Sequence, residues 1–178
     1  MEKVNTSLIY NWHAVYVKSR TEKKAHAELQ FKEIETFLPL QRKLRQWSDR
    51  KKWVEMPLIS GYLFVKICRK EYDSVLQSDY VVSYVRFNGV AAVIPENQID
   101  YLKLMLKQDN LDIEIVHESF APGQMIDVVA GPLIGLHGKL VRIKGKDKVA
   151  IELEQLGYAV LVEILAQDIH IAESHPSQ

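Results

Sequence analysis

The run PLISGYLFVKI at residues 57–67 constrains this chain more than any other segment. Its density of β-branched, aromatic and leucine side chains makes it the strongest strand signal present, and Gly61 inside it predicts a bulge or a close backbone approach. The flanking sequence supplies partners. WHAVYV at residues 12–17 reads as a strand buried largely on both faces. Thr21 is a candidate N-cap for EKKAHAELQFK, an amphipathic helix with Ala25 and Leu29 on its inner face and Glu22, Lys23, Lys24, His26 and Glu28 mostly off it. TFLPL at 36–40 is a short strand. Residues 42–55, RKLRQWSDRKKWVE, hold six basic and two acidic side chains around two tryptophans, with a Ser48-Asp49 turn. They predict a basic hairpin in which Trp47 is exposed and Trp53 structural.

After residue 67 the chain alternates: a short helix at 69–78, a strand at 81–87, and a helix at 95–108 with Ile99, Leu102 and Leu106 on one side. The order β-α-β-β-β-α-β-α describes an α+β sandwich. The helical pattern is lost between Asp109 and Ser119, and Ala121-Pro122-Gly123 punctuates the chain before four or five short strands follow with glycine turns. So small an all-β segment gains by closing its edges, which predicts a β-barrel. The expected organisation is a first domain at 8–110, a linker at 111–119 and a second domain at 120–173.

A composition of 47% hydrophobic and 26% charged residues is that of a folding chain. The net charge of zero conceals an asymmetry: residues 1–110 carry +5 and residues 111–178 carry −5, so the halves are expected to meet different partners. The opening MEKVNTSLIYNW has no apolar stretch of signal-peptide length and no later run reaches transmembrane length, so a cytoplasmic protein without membrane contact is expected. The single cysteine, Cys68, ends an apolar run and reads as a buried, inert thiol. The six histidines lack metal-ligand spacing, carboxylates are not clustered, and no glycine-rich loop opens a helix. We expect no metal, no cofactor and no enzyme.

PLISGYLFV at 57–65, followed by VVSYVRF and AAVIP, resembles the N-terminal domain of NusG-type transcription factors, and FAPGQMIDVVAGPLIGLHGKLVRI at 120–143 is similar to their KOW domain, an SH3-like barrel. PLISGYLFV with VRF, the tryptophan-flanked RQWSDRKKW and the short connection between domains resemble the specialised antiterminators such as RfaH and the UpxY proteins of capsule loci. The resemblance implies a monomeric elongation or antitermination factor that suppresses pausing or termination at specific operons such as capsule or polysaccharide loci. It places Leu58, Ile59 and Tyr62, with Tyr16 beside them, against the clamp helices of the largest RNA polymerase subunit. It sets Lys18 and Lys24 at positions that read the non-template DNA strand, where Arg20 and Lys23 add charge. A further contact with the polymerase falls near Tyr72 to Ser74, where the family's polar motif is not reproduced.

The hairpin residues Arg45, Trp47, Arg50, Lys51 and Lys52 form a second candidate nucleic-acid surface, because cations interleaved with aromatic rings suit phosphates and bases together. In the acidic second domain, Leu133, Ile134, Leu136 and His137 form the candidate surface for a protein partner, in the family either Rho or a small-subunit ribosomal protein. Gly131, Gly135 and Gly138 are expected to serve turns. An RNA-binding or ribosome-associated KOW protein is the alternative. The period-2 runs of the second domain favour a barrel over the helical hairpin that masks the polymerase site in RfaH.

Overall fold

The computed structural model describes residues 9–108, 111–117, 120 and 123–172. The expected punctuation at Ala121-Pro122 and the outer domain limits, 8 and 173, lie outside these residues. Two compact units divide the chain, Met1–Ile99 and Asp100–Gln178.

The first unit is built on an antiparallel sheet in the order β2-β5-β1-β6, formed by β1 (Asn11–Val17), β2 (Glu35–Phe37), β5 (Tyr62–Ile67) and β6 (Val81–Tyr84). β1 and β5 pair over six positions, from Asn11 opposite Ile67 to Tyr16 opposite Tyr62. Side chains alternate along each strand, so this register sorts two faces. The odd-numbered Val15, Val17, Leu63, Val65 and Ile67 meet Ala25 and Leu29 of α1 (Glu22–Phe31) in the main core cluster. The even-numbered Trp12, Ala14 and Phe64 lie on the opposite face and are also buried. A strand covered on both sides was the expectation for residues 12–17. On that second face Lys66 lies 5.8 Å from the Trp12 ring centroid and bonds Glu96 Oε1 at 2.7 Å.

The run at 57–67 is split, contrary to the single strand expected. Pro57 closes β4 (Lys51–Pro57), residues 58–61 turn, and β5 begins only at Tyr62. Gly61 sits in that turn at φ 81°, a left-handed conformation that costs an L side chain about 1–2 kcal/mol. β3 (Leu40–Gln46) and β4 form the predicted hairpin, closed by Trp47 N–H donating to the Arg50 carbonyl at 2.8 Å. The short helix divides into a 3-10 turn (Arg69–Glu71) and α2 (Tyr72–Leu76). β6 stops at Tyr84, and β7 (Arg86–Phe87) pairs with β8 (Val90–Ala91) around a left-handed Asn88-Gly89. β9 (Val93–Ile94) returns to β1. In α3 (Glu96–Leu106) the buried residues are Ile99, Leu102 and Met105; Leu106 is only half-buried, correcting its expected place on the inner side. Cys68 is buried, as its apolar neighbours indicate.

The second unit carries a six-stranded antiparallel sheet, β10-β14-β13-β12-β11-β15. Its strands are β10 (Ile113–Val116), β11 (Met125–Val128), β12 (His137–Ile143), β13 (Lys146–Leu153), β14 (Tyr158–Glu163) and β15 (Ile169–Ile171). The expected linker at 111–119 therefore contains a strand, and Glu114 on it reaches the buried Lys148 of β13 at 2.9 Å. A buried ammonium needs such a partner, and this requirement draws the segment onto the sheet. Between residues 123 and 172 the regular structure is strand and 3-10 turn, matching the β rather than helical expectation. Gly131 and Gly135 take left-handed turns, whereas Gly138 lies within β12, where an added Cβ would stand 2.7 Å from Val149 and 2.8 Å from the Ala150 carbonyl. Close packing, and not a turn, requires that glycine.

Candidate functional site

The sheet face bearing Trp12, Ala14 and Phe64 is covered along most of its length and uncovered at one end. Tyr16 and Tyr62, opposite one another in the β1–β5 register, continue this row, with ring centroids 4.9 Å apart. Tyr16 is 39% exposed and Tyr62 half-buried. Two large aromatic rings held together by a rigid sheet and open to solvent form the kind of anchor on which protein interfaces concentrate binding energy. Leu58 and Ile59 are buried, at 6% and 2% exposure. They present no apolar surface of their own and instead fill the turn that leads into Tyr62.

That turn is latched. Glu22, in the first turn of α1, is itself buried, and its Oε1 accepts the Gly61 N–H at 2.9 Å, while the Gly61 carbonyl accepts the Val17 N–H at 2.9 Å. The expected exposed position for Glu22 is thus corrected. Thr21 makes no cap bond to the helix, and its hydroxyl donates instead to the Lys18 carbonyl at 2.7 Å. The carboxylate does two jobs: it satisfies a backbone donor in a turn and places negative charge at a helix start. No local pattern announces this role, because the partner is 39 residues away.

Lys18, Arg20, Lys23 and Lys24 are all exposed, at the end of β1 and along α1. Lys23 approaches Glu55 of β4 at 3.7 Å, so the cationic face of α1 adjoins the base of the β3–β4 hairpin. Along the hairpin Arg45, Trp47, Arg50, Lys51 and Lys52 are exposed. Trp53, expected to be structural, is 55% exposed, nearly as much as Trp47 at 57%. It stands opposite Leu44 with the Arg42 guanidinium 5.7 Å from its ring, and its neighbours are on the arm itself. Tyr72 is occupied in packing: it stacks on Tyr84 at 4.0 Å, and its carbonyl accepts the Tyr84 hydroxyl at 2.9 Å. Burial, together with the nearby Tyr72, Asp73 and Glu71, pushes that hydroxyl's pKa well up.

Of the four second-unit candidates, only Ile134 offers a large exposed apolar surface. Leu133 and Leu136 are core residues, and His137 is tied to Asp127 at 2.6 Å. Among the described residues no group of three or more His, Cys, Asp or Glu side chains could hold a metal ion, and no helix is long and apolar enough to cross a membrane.

No curated protein matches the chain. Among solved structures, "Domain interaction in Thermotoga maritima NusG" aligns over 94% of this chain and 99% of that one, at 18% identity and a TM-score of 0.51, a likeness of fold. Two conformations of the MjSpt4:Spt5 complex align over 92% and 93% of this chain at 16% identity, with TM-scores of 0.31 and 0.32. The family model "Transcription termination factor nusG" matches residues 10–103, the stretch that contains the sheet, the Glu22–Gly61 latch and the hairpin. The chain belongs to the NusG family of transcription factors.

Proposed function

We propose that the chain is an elongation factor that binds RNA polymerase through the Tyr16–Tyr62 end of its first sheet and suppresses pausing or termination at particular operons, in the manner of the specialised antiterminators. The observation that carries the reading is the ring pair of exposed Tyr16 and half-buried Tyr62, 4.9 Å apart, at the end of a sheet face on which Trp12, Ala14 and Phe64 are buried. Family membership supplies the partner class, and the clamp helices of the largest polymerase subunit are the proposed contact. The exposed cations that follow β1 and lie along α1, Lys18 and Lys24 above all, are the proposed contacts with the non-template strand of the transcription bubble. Holding the clamp closed requires only that the factor bind the closed state better than the open one. No catalytic group is needed. The acidic second unit engages a protein, Rho or a small-subunit ribosomal protein, with Ile134 as its exposed contact.

Full-length protein, immobilised and titrated with core RNA polymerase, tests the first claim. Truncating a central aromatic anchor costs about 2 kcal/mol or more, so Tyr62→Ala is expected to weaken binding by roughly 30-fold and the Tyr16→Ala, Tyr62→Ala double variant further. Wild-type affinity in a folded double variant would move the contact elsewhere. A folded wild-type chain that ignores polymerase but sediments with ribosomes in high salt would favour the ribosomal alternative.

A further inference from the structure

A cavity of about 400 Å³ opens on the first unit, at the far end of the β1–β5 ladder from the tyrosine pair. The ladder runs from Tyr16 opposite Tyr62 to Asn11 opposite Ile67, a distance of about 17 Å along the strand. Alternation puts Asn11, His13 and Ile67 on the other face of the sheet, and these three line the cavity together with Arg69, Arg86 and Val90. Small-molecule sites occupy roughly 300–1,000 Å³ and mix apolar walls with a few polar groups, which is the character of this cleft.

Both cations of the cleft are placed by the fold. The Arg69 guanidinium lies 5.5 Å from the Tyr72 ring centroid, and that ring stacks on Tyr84, so Arg69 is already ordered and loses less freedom on binding. Arg86 stands opposite Ala91 in the β7–β8 ribbon. The ribbon is tied to β1 at its base, where the Val85 N–H donates to the Ala14 carbonyl and His13 Nδ1–H to the Ala92 carbonyl, both at 2.9 Å. Among the described residues neither Arg69 nor Arg86 forms an ion pair, and the neighbouring Glu71 spends its Oε2 on the Cys68 N–H at 3.0 Å. Two cations at one concave surface with no carboxylate between them attract an anion. The Nδ1 bond leaves Nε2 as the acceptor of the neutral His13 ring, and burial holds that ring below its ordinary 6.5. Such a nitrogen takes the hydrogen of a hydroxyl and not an anionic oxygen.

We propose that this cavity binds a small phosphate monoester that carries hydroxyl groups, a molecule of the size of a sugar phosphate. Arg69 and Arg86 hold the phosphate oxygens, His13 Nε2 accepts a hydroxyl of the ligand, and Ile67 and Val90 meet its carbon skeleton. Guanidinium forks match phosphate oxygens in pairs. A terminal monoester brings nearly two negative charges to two arginines, where each internal phosphate of a nucleic acid brings one. The site lies apart from the tyrosine pair and needs no polymerase, so its failure and the failure of the polymerase reading are distinguishable.

The test is titration calorimetry of full-length protein with glucose 6-phosphate, alongside glucose, glucuronate and inorganic phosphate. A ligand of this size at ordinary efficiency per atom binds with a Kd below about 1 mM. Glucose should not bind. Glucuronate, which lacks the second charge, and inorganic phosphate, which lacks the carbon skeleton, should each bind at least about 5-fold more weakly. Arg69→Gln and Arg86→Gln should each lose about 10-fold, and Arg86→Lys should regain only part of the loss because it keeps the charge without the fork. Both arginines are exposed, so these variants should fold as wild type does, which circular dichroism checks. Arg142→Gln, at an exposed site of the second unit, should change nothing. In proton–nitrogen correlation spectra the amides of Cys68, Arg69 and Gly89 should shift on addition of glucose 6-phosphate while those of α1 stay in place. Absence of saturable binding below about 10 mM, wild-type affinity in both folded glutamine variants, or displacement of the sugar phosphate by a short single-stranded DNA would each overturn the proposal.

Discussion

Replacing Glu22 by alanine isolates the latch that fixes the turn before Tyr62. The carboxylate is 7% exposed and accepts the Gly61 N–H at 2.9 Å, so its removal leaves a half-buried backbone donor without its partner, at a cost of about 1–3 kcal/mol. Loss of the only acidic residue in the first turn of α1 adds about 0.3–1 kcal/mol. Alanine's better helix propensity returns a few tenths of a kcal/mol. The net expectation is about 2 kcal/mol, read as a urea midpoint lower by about 1–2 M with an unchanged m-value in far-UV circular dichroism. Glu22→Gln keeps an acceptor oxygen of the same reach and loses only the charge, so it should cost less than half as much. The reasoning is refuted if the alanine variant unfolds within 0.5 kcal/mol of wild type, or if glutamine is as damaging as alanine. The first result would mean that the Gly61 donor does not depend on this carboxylate, the second that the charge and not the acceptor oxygen carries the stabilisation.

Three further perturbations separate the kinds of interaction holding the two units. Gly61→Ala meets open space around its new Cβ but keeps φ at 81°, so its cost is the backbone term alone, about 1–2 kcal/mol by urea unfolding. Gly138→Ala is confronted by Val149, the Ala150 carbonyl and Ile151, all within 2.8 Å, and should destabilise the second unit by about 1–3 kcal/mol or more, visible as an earlier transition by calorimetry. Burial pushes the His13 and His26 rings below the ordinary 6.5, opposed for His13 by its bond to the Ala92 carbonyl. The unfolded chain therefore takes up protons more readily, and the melting temperature of the first unit should fall as pH drops through 6.5 toward the lower folded values. In the double variant His13→Gln, His26→Gln, that part of the pH dependence should vanish.

The strands that were legible in the sequence are those whose side chains declare themselves locally. WHAVYV alternates large residues that suit two covered faces, and Ser48-Asp49 between basic arms announces the hairpin. What local pattern misses is any role set by a distant partner. Leu58 and Ile59 extend an apolar run and read as strand, yet Gly61 and the Glu22 carboxylate bend them into a buried turn. The strand at Ile113–Val116 is short and bounded by acids, and it is explained only by β14 beside it and by the need of Lys148 for Glu114. Trp53 errs in the opposite direction. Proximity to a strong strand suggested burial, but the hairpin register sets it opposite Leu44 on the arm, where it is 55% exposed.

These placements bear on how binding and stability are coupled. A two-stranded hairpin alone is marginal in water, so the arm must be held at its base, where Leu40 pairs with Pro57, the Leu58 N–H donates to the Pro39 carbonyl at 2.7 Å and Lys23 meets Glu55. Its tip then contributes surface and little stability. Substitutions at Trp47, Trp53 or Arg45 should leave unfolding within about 0.5 kcal/mol of wild type, the usual range for exposed sites. Tyr62 is placed differently, immediately after the latched Gly61 and against Tyr16, so anything that loosens the latch displaces the ring pair as well. Glu22→Ala should therefore weaken polymerase binding in a chain that still folds, although Glu22 is buried and touches no partner. If it weakens stability alone, the orientation of Tyr62 is set by the β1–β5 ladder and not by the turn that precedes it.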